Sequence, residues 1–413
     1  MAPLPIFAPL RSLPAVFFHC EGGSSEGRLI RLGIHLASLL ISLSLTAPAA
    51  ATPSRFDVVA QQAEAARTQD RVPDAIRLYR EGTHLRPAWA DGWWYLGSLL
   101  YDQDRFSEAS IAFQHLLSSP SRSATAHAFL GLCEYETGHY DDALSQFRAW
   151  AGAGWVGTRE LRDVGYYHFA VLLTRDGEFL ESLALITWMA PRLGDNPEIA
   201  EAMGLASLHL RYLPENYRPE LRERIWLAGK AALCAQQKPE QYERADEFAA
   251  RLEARYPDQP EVHAFRAMLY GFEKKPADAE REYRAELKNS PSHLPSLIAL
   301  VGFDLSRGDT AEADVLARQA VVADPNNAEA HHFLGRVFLA KEDLTAAAME
   351  LETAKQLAPT NPGVRSHLAI VYGKLGRSQE AKAESAAYLT LEHNAEAMSL
   401  AKMPPTETQE KTH

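Results

Sequence analysis

Fifteen histidines and one glycine-rich run are the features of this 413-residue chain whose types and spacing could do chemistry. The run Gly152-Ala153-Gly154-Trp155-Val156-Gly157 matches G-x-G-x-x-G, the pattern in which a tight turn delivers a pyrophosphate to a helix N-terminus. That use requires a strand leading into the turn. Here Ala143 to Trp150 precede it with apolar residues at helical spacing, so the run reads as a flexible loop between helices. The histidines do not fall at metal-ligand spacing. There is no His-Glu-x-x-His and no pair at i, i+4, while His331 and His332 are neighbours roughly 100° apart on a helix. No Gly-x-Ser-x-Gly elbow and no phosphate-cradling Gly-x4-Gly-Lys loop occurs either. The expectation is a protein with no catalytic, cofactor-binding or metal-ligating set, hence not an enzyme.

The elements behind these residues are repetitive. Pro257, Pro291, Pro325 and Pro359 stand 34 residues apart, and each follows by twelve residues an alanine: Ala245, Ala279, Ala313 and Ala347, with Ala381 one period on. With the prolines at position 32, units start at 226, 260, 294, 328 and 362. Positions 4, 7, 8 and 11 then make the core stripe of a first helix, His331, Leu334, Gly335 and Phe338 in the unit from 328. Positions 20, 24 and 27 make a second, Ala347, Leu351 and Ala354. Position 8 is small and position 20 is alanine because two helices approach closely there. Proline closes the second helix, since it lacks an N–H and clashes with the preceding turn.

This pattern resembles the tetratricopeptide repeat family, whose signature is W-x2-L-G-x2-Y, then A-x3-F, then P. The unit from 90 carries Trp93, Leu96, Gly97, Leu100, Ala109 and Phe113; the next carries Leu130, Gly131, Tyr140, Ala143 and Phe147. Degenerate units start at 56, with Ala75, Tyr79 and Pro87, and at about 163, where Ser182 replaces the alanine. The resemblance covers roughly residues 56–395. It implies an all-α helix–turn–helix solenoid, a right-handed superhelix of about nine units in two arrays. It also implies that positions 2, 5, 9 and 12 line a concave groove. The expected groove residues are Asp91, Trp94, Ser98 and Tyr101, then Leu132 and Tyr135, then Tyr167, Val171 and Arg175. Trp93 is assigned to packing and Trp94 to binding, since aromatic rings in a concavity anchor protein partners. The C-terminal stripe, from Glu261 and Ala264 through Gly302 to Glu329, His332 and Arg336, lacks the lysine and asparagine set of a carboxylate clamp.

The N-terminal segment differs in kind. Arg28 and Arg31 precede an apolar run from Leu32 to Leu45, then Ala47-Pro48-Ala49-Ala50-Ala51. This is the layout of a secretory signal with an Ala-x-Ala cleavage site, and the run is short for a membrane span. The expected organisation is a signal peptide at 1–51, an N-terminal array at 52–211, a joint at 212–225, a C-terminal array at 226–395 and a tail at 396–413. The joint is placed where Leu213-Pro214-Glu215-Asn216-Tyr217-Arg218-Pro219 follows a first helix that lacks a second. Cys133 and Cys234 lie in non-adjacent units, too far apart for a disulfide. The formal net charge of −12 disfavours nucleic acid and anionic membrane surfaces. The sequence thus points to an exported, periplasmic or secreted scaffold for a protein or extended peptide, without stable membrane insertion after cleavage. Its alternatives are a periplasmic component of a polysaccharide-export or envelope-assembly complex and, remotely, an enzyme borne on the repeats.

Overall fold

In a computed structural model the described residues are 53–193, 196–214, 216–237 and 241–402. They fall into two compact units divided between Leu161 and Arg162. Among the described residues no strand occurs, and none of the helices is long and apolar enough to cross a membrane. The expected signal peptide and cleavage site lie outside the described residues.

The first unit is built from helix pairs: α1 (Arg55–Thr68) with α2 (Val72–Leu85), α3 (Ala90–Tyr101) with α4 (Phe106–Gln114), and α5 (Ser123–Glu136) with α6 (Tyr140–Gly152). α7 (Arg159–Asp176) begins at its end. The second unit continues with α8 (Phe179–Leu193), α9 (Pro197–Ser207), α10 (Arg222–Gln237), α11 (Tyr242–Arg255), α12 (Val262–Phe272) and α13 (Pro276–Asn289). It ends with α14 (Leu294–Arg307), α15 (Thr310–Ala323), α16 (Ala328–Ala340), α17 (Leu344–Leu357), α18 (Pro362–Lys374) and α19 (Ser378–Lys402).

The repeat's small residues act as the sequence requires. Ala75, Ala109 and Ala143 are fully buried in the first unit, as are Ala313 and Ala347 in the second. Ser182, which stands in for one alanine, is also fully buried. Its hydroxyl lies 2.8 Å from the Ala170 carbonyl oxygen and 2.7 Å from Thr174 Oγ1, so the extra polar atom is satisfied. Position 8 packs on position 24: a Cβ on Gly97 or Gly131 would lie 2.8 Å from a ring carbon of Phe113 or Phe147, and one on Gly335 would lie 2.7 Å from Leu351 Cγ. The second helices α2, α11, α13, α15 and α17 each stop two residues before Pro87, Pro257, Pro291, Pro325 and Pro359.

One periodic feature escaped the sequence reading. In seven of the helix pairs the turn passes through the left-handed region at the same register: Asp70, Asp104 and Gly138 in the first unit, then Lys274, Gly308, Glu342 and Gly376 in the second. Non-glycine residues visit this region at a cost, so it is held by the packing of the helices it joins. Because the position is filled by four residue types, composition hid it.

Two loops differ from expectation. The segment read as a joint lies inside the second unit and connects α9 to α10, which pack directly on each other. A Cβ on Gly204 would meet the Ile225 carbonyl oxygen at 1.9 Å, and one on Gly229 the Ala200 carbonyl oxygen at 1.7 Å, so the two backbones touch. The first helix that seemed to lack a partner therefore has one, beyond a long connection whose Leu213 is buried and whose Tyr217 hydroxyl donates to Glu201. The glycine-rich run follows helix α6, as expected, but it is pinned rather than loose. Trp155 is buried edge-on against Trp150 at 5.1 Å, and the Trp150 indole donates to the Val156 carbonyl at 2.8 Å. Cys133 and Cys234 are both buried.

Candidate functional site

In the first unit, the residues expected to line a groove are brought together but largely enclosed. Trp94 is only 6% exposed and meets Phe113 at 5.9 Å and Phe129 at 5.5 Å, both edge-on. Tyr101 is half-buried against Phe106 and Phe129. Leu132 is buried, and so is Tyr135, edge-on to Tyr140. Ser98 donates its hydroxyl to the Trp94 carbonyl at 2.9 Å. Asp91 is exposed and paired with Arg122, whose guanidinium sits 5.0 Å over the Trp94 ring.

The roles given to the adjacent tryptophans are thus reversed: Trp94 is core and Trp93 is the partly exposed ring. The reason is Phe129, at position 6 of the following repeat, which the stripe analysis assigned to no face. It stacks on Phe113 at 4.9 Å and fills the space into which Trp94 and Tyr101 project. Aromatic side chains at edge-on and offset distances of this kind stabilise one another beyond their burial. In the second unit, Tyr167 and Val171 are buried as well, and Arg175 is half-buried.

A different stripe is open. Position 9 of three successive first helices is Gly302 on α14, Arg336 on α16 and Ile370 on α18, and Ile370 is 47% exposed. The Arg336 guanidinium lies 4.5 Å from the centre of the Phe333 ring, and a Cβ on Gly302 would lie 3.6 Å from the same ring. His332 Nε2 is 3.1 Å from His367 Nδ1, which also lies 2.7 Å from the Gly363 carbonyl oxygen. Burial, with the nearby His367 and Arg336 adding to it, pushes the His332 pKa down to about 4. His367 is lowered as well, again chiefly by burial. Both rings are therefore neutral at pH 7 and leave Arg336 as the cation of the cluster.

Arg336 is half-buried, and burial lowers its own pKa; among the described residues it makes no ion pair. Other arginines of the second unit contrast with it. Arg318 pairs with Asp314, Arg307 with Glu280 and Arg365 with Glu384. The sequence reading placed His332 and Arg336 on this stripe but missed Phe333 and His367. Both stand at position 6, as Phe129 does, and that shared register was the available signal.

The chain is similar to known proteins in three comparisons. The tetratricopeptide repeat model matches residues 61–123, 99–157 and 304–362. The chain is similar to protein O-mannosyl-transferase Tmtc3 of Drosophila melanogaster, 33% identical over 110 residues, which is 26% of this chain and 12% of that protein. Among solved structures, MamA 41-end from Desulfovibrio magneticus RS-1 is 17% identical over 42% of this chain and 96% of its own, with a TM-score of 0.37. Cut9 in the APC/C hetero-tetramer Cut9–Hcn1 is 14% identical over 82% of this chain and 79% of its own, with a TM-score of 0.33. The matched segments coincide with helix pairs whose buried alanines Ala75, Ala109, Ala143, Ala313 and Ala347 and close-packed Gly97, Gly131 and Gly335 stand at the same two positions of a 34-residue unit. Residues 61–157 and 304–362 of the chain carry tetratricopeptide repeats.

Proposed function

We propose that the protein is an exported, non-enzymatic scaffold that binds a protein or extended peptide along the first-helix stripe of α14, α16 and α18. Arg336 would anchor an acidic group of the partner. The observation that supports this reading is Arg336 itself. Desolvating a cation without a counter-charge is costly, and an incoming carboxylate would remove that cost through charge-assisted hydrogen bonds. Phe333 packs beside it, and Ile370 at the same position of the next repeat is 47% exposed, apolar surface suited to a side chain of the partner.

Site-specific photo-crosslinking tests the surface. A photoreactive residue at Ile370 should give a discrete adduct in cells, lost in Arg336→Ala with an unchanged helical circular dichroism spectrum. The same probe at Val322, exposed on the second helix α15, should give none. Equal adducts from both positions, or none from either, would reject the assignment. Export is supported by the basic, apolar and Ala-x-Ala order of residues 28–51, and N-terminal sequencing of the exported protein should then begin at Thr52. Recovery of membrane-bound protein that retains 28–51 would instead mean an anchor.

A further inference from the structure

We infer that His209, Glu261 and His293 form a binding site for a divalent transition metal. The three come from three separate connections of the second unit: the turn after α9, the residue before α12 and the residue before α14. His209 Nδ1 lies 2.9 Å from Glu261 Oε2, and His293 Nε2 lies 3.1 Å from Glu261 Oε1. One ligand atom from each of the three falls within 4.8 Å of the other two. Zinc bonds of about 2.0–2.2 Å to imidazole and carboxylate place tetrahedral ligands roughly 3.3 Å apart. Only a small adjustment separates the present geometry from coordination.

Two departures from the repeat rule meet at this point. At the residue capping a first helix, Asn327 and Asn361 accept backbone N–H groups in extended conformation. The corresponding residue before α14 is His293, which caps with Nδ1, accepting from Ser296 N at 3.3 Å, and turns its second nitrogen toward Glu261. The residue capping α12 is Glu261, held in the left-handed region at φ +72. Its backbone N–H donates to the buried Glu286 at 3.0 Å, which also accepts from Ala264 N at 3.2 Å. The packed core thus fixes an unfavourable backbone whose carboxylate is aimed between two imidazoles. Strain of this kind persists where the surroundings over-determine it and clusters at ligand sites.

The outer contacts suit a metal. Coordination of Nε2 would place the ring proton on Nδ1, which would then donate to Ser296 Oγ, 2.7 Å away, in place of accepting from Ser296 N, the arrangement by which bound histidines are oriented. Phe179 packs against the His209 ring at 4.6 Å. All three ligands are partly exposed, which leaves an entry path and a further coordination position for water. A bare carboxylate–histidine contact has a simpler form in this chain. His263–Glu282 and His331–Glu350 each use one imidazole and recur at a fixed separation of 19 residues. The triad obeys no such register.

The test uses the full, tag-free chain, stripped with chelator and titrated with ZnCl2 by calorimetry and with CoCl2 by visible absorption. One equivalent of zinc is expected, with ligand-field bands of low-coordinate cobalt displaced by zinc. His209→Ala and His293→Asn should each weaken binding by tenfold or more. His293→Asn restores the asparagine cap found at Asn327 and Asn361, so it should fold even if His209→Ala does not. His332→Asn, away from the site, should bind as the parent does. No stoichiometric zinc in the parent, or parent-like binding by His293→Asn, would overturn the inference.

Discussion

The indole N–H of Trp93 donates to the carbonyl oxygen of Pro87 at 2.7 Å, tying the first helix of one repeat to the proline that closes the repeat before it. The same register does the same work elsewhere. His331 Nε2 lies 3.0 Å from the Pro325 carbonyl oxygen, and Arg365 donates to that of Pro359 at 3.0 Å. Position 4 is therefore a place for a long side chain with a donor at its tip, which is why tryptophan, histidine and arginine alternate there. Its inner contact is with position 23. His127–Gln146, His263–Glu282, His331–Glu350 and Arg365–Glu384 are all polar pairs, while Leu297 and Leu316, at the same two positions, are both buried and apolar.

Trp94→Ala should unfold the first unit more readily than Trp93→Ala. A buried tryptophan replaced by alanine costs about 3–5 kcal/mol, through lost transfer energy and the cavity left behind. Trp93→Ala removes one hydrogen bond and a partly exposed stack on His115, worth about 1–2 kcal/mol. Urea denaturation followed by circular dichroism ranks the two. A larger loss for Trp93→Ala would place the wrong ring in the core.

The position 4 and position 23 pairs should be exchangeable only together. His331→Leu leaves Glu350 without its partner and should cost about 1–3 kcal/mol, as should Glu350→Leu alone. The double variant reproduces Leu297 and Leu316 and should recover most of that loss. A double-mutant cycle with additive losses would show that the two side chains do not interact.

Ala347→Leu should destabilise by about 1–3 kcal/mol, because the alanine is fully buried where α16 and α17 cross. In a solenoid each repeat touches only its neighbours, so the effect should stay local. Hydrogen exchange should speed up in α16 to α18 and leave α12 unchanged; uniform acceleration over the second unit would contradict a repeat-wise architecture.

Acid should loosen the C-terminal repeats through His332. Its folded pKa, about 4, lies below the unfolded value of about 6.5, so between those values the unfolded chain binds the extra proton. The stabilising effect of the neutral ring is complete above pH 6.5 and is lost as pH falls toward 4. Urea midpoints of the parent should decline over that window, and His332→Leu should flatten the decline. An identical pH profile for both proteins would remove His332 from the cause.

The sequence by itself determined the repeat. Alanine at position 20, glycine at position 8 and proline at position 32 are steric requirements of a helix pair and its end, and such requirements leave their mark in residue type at fixed spacing. Gly335 and Leu351 on the packing stripes and Ala347 at the helix crossing could be placed from spacing alone. What faces outward could not. Trp93 and Trp94 have the same side chain in adjacent positions, and their fates were decided by Phe129, which lies one repeat away and fills the space the second ring needed. The pairing of α9 with α10 was hidden because Gly204 and Gly229 meet across a loop too long to carry the 34-residue register. The His209, Glu261 and His293 cluster has no local spacing at all: 52 and 32 residues separate its contacts, and only the stacking of successive repeats brings the three connections together. Local sterics repeat with the chain and can be read along it, whereas contacts between connections depend on how each repeat is laid on the next.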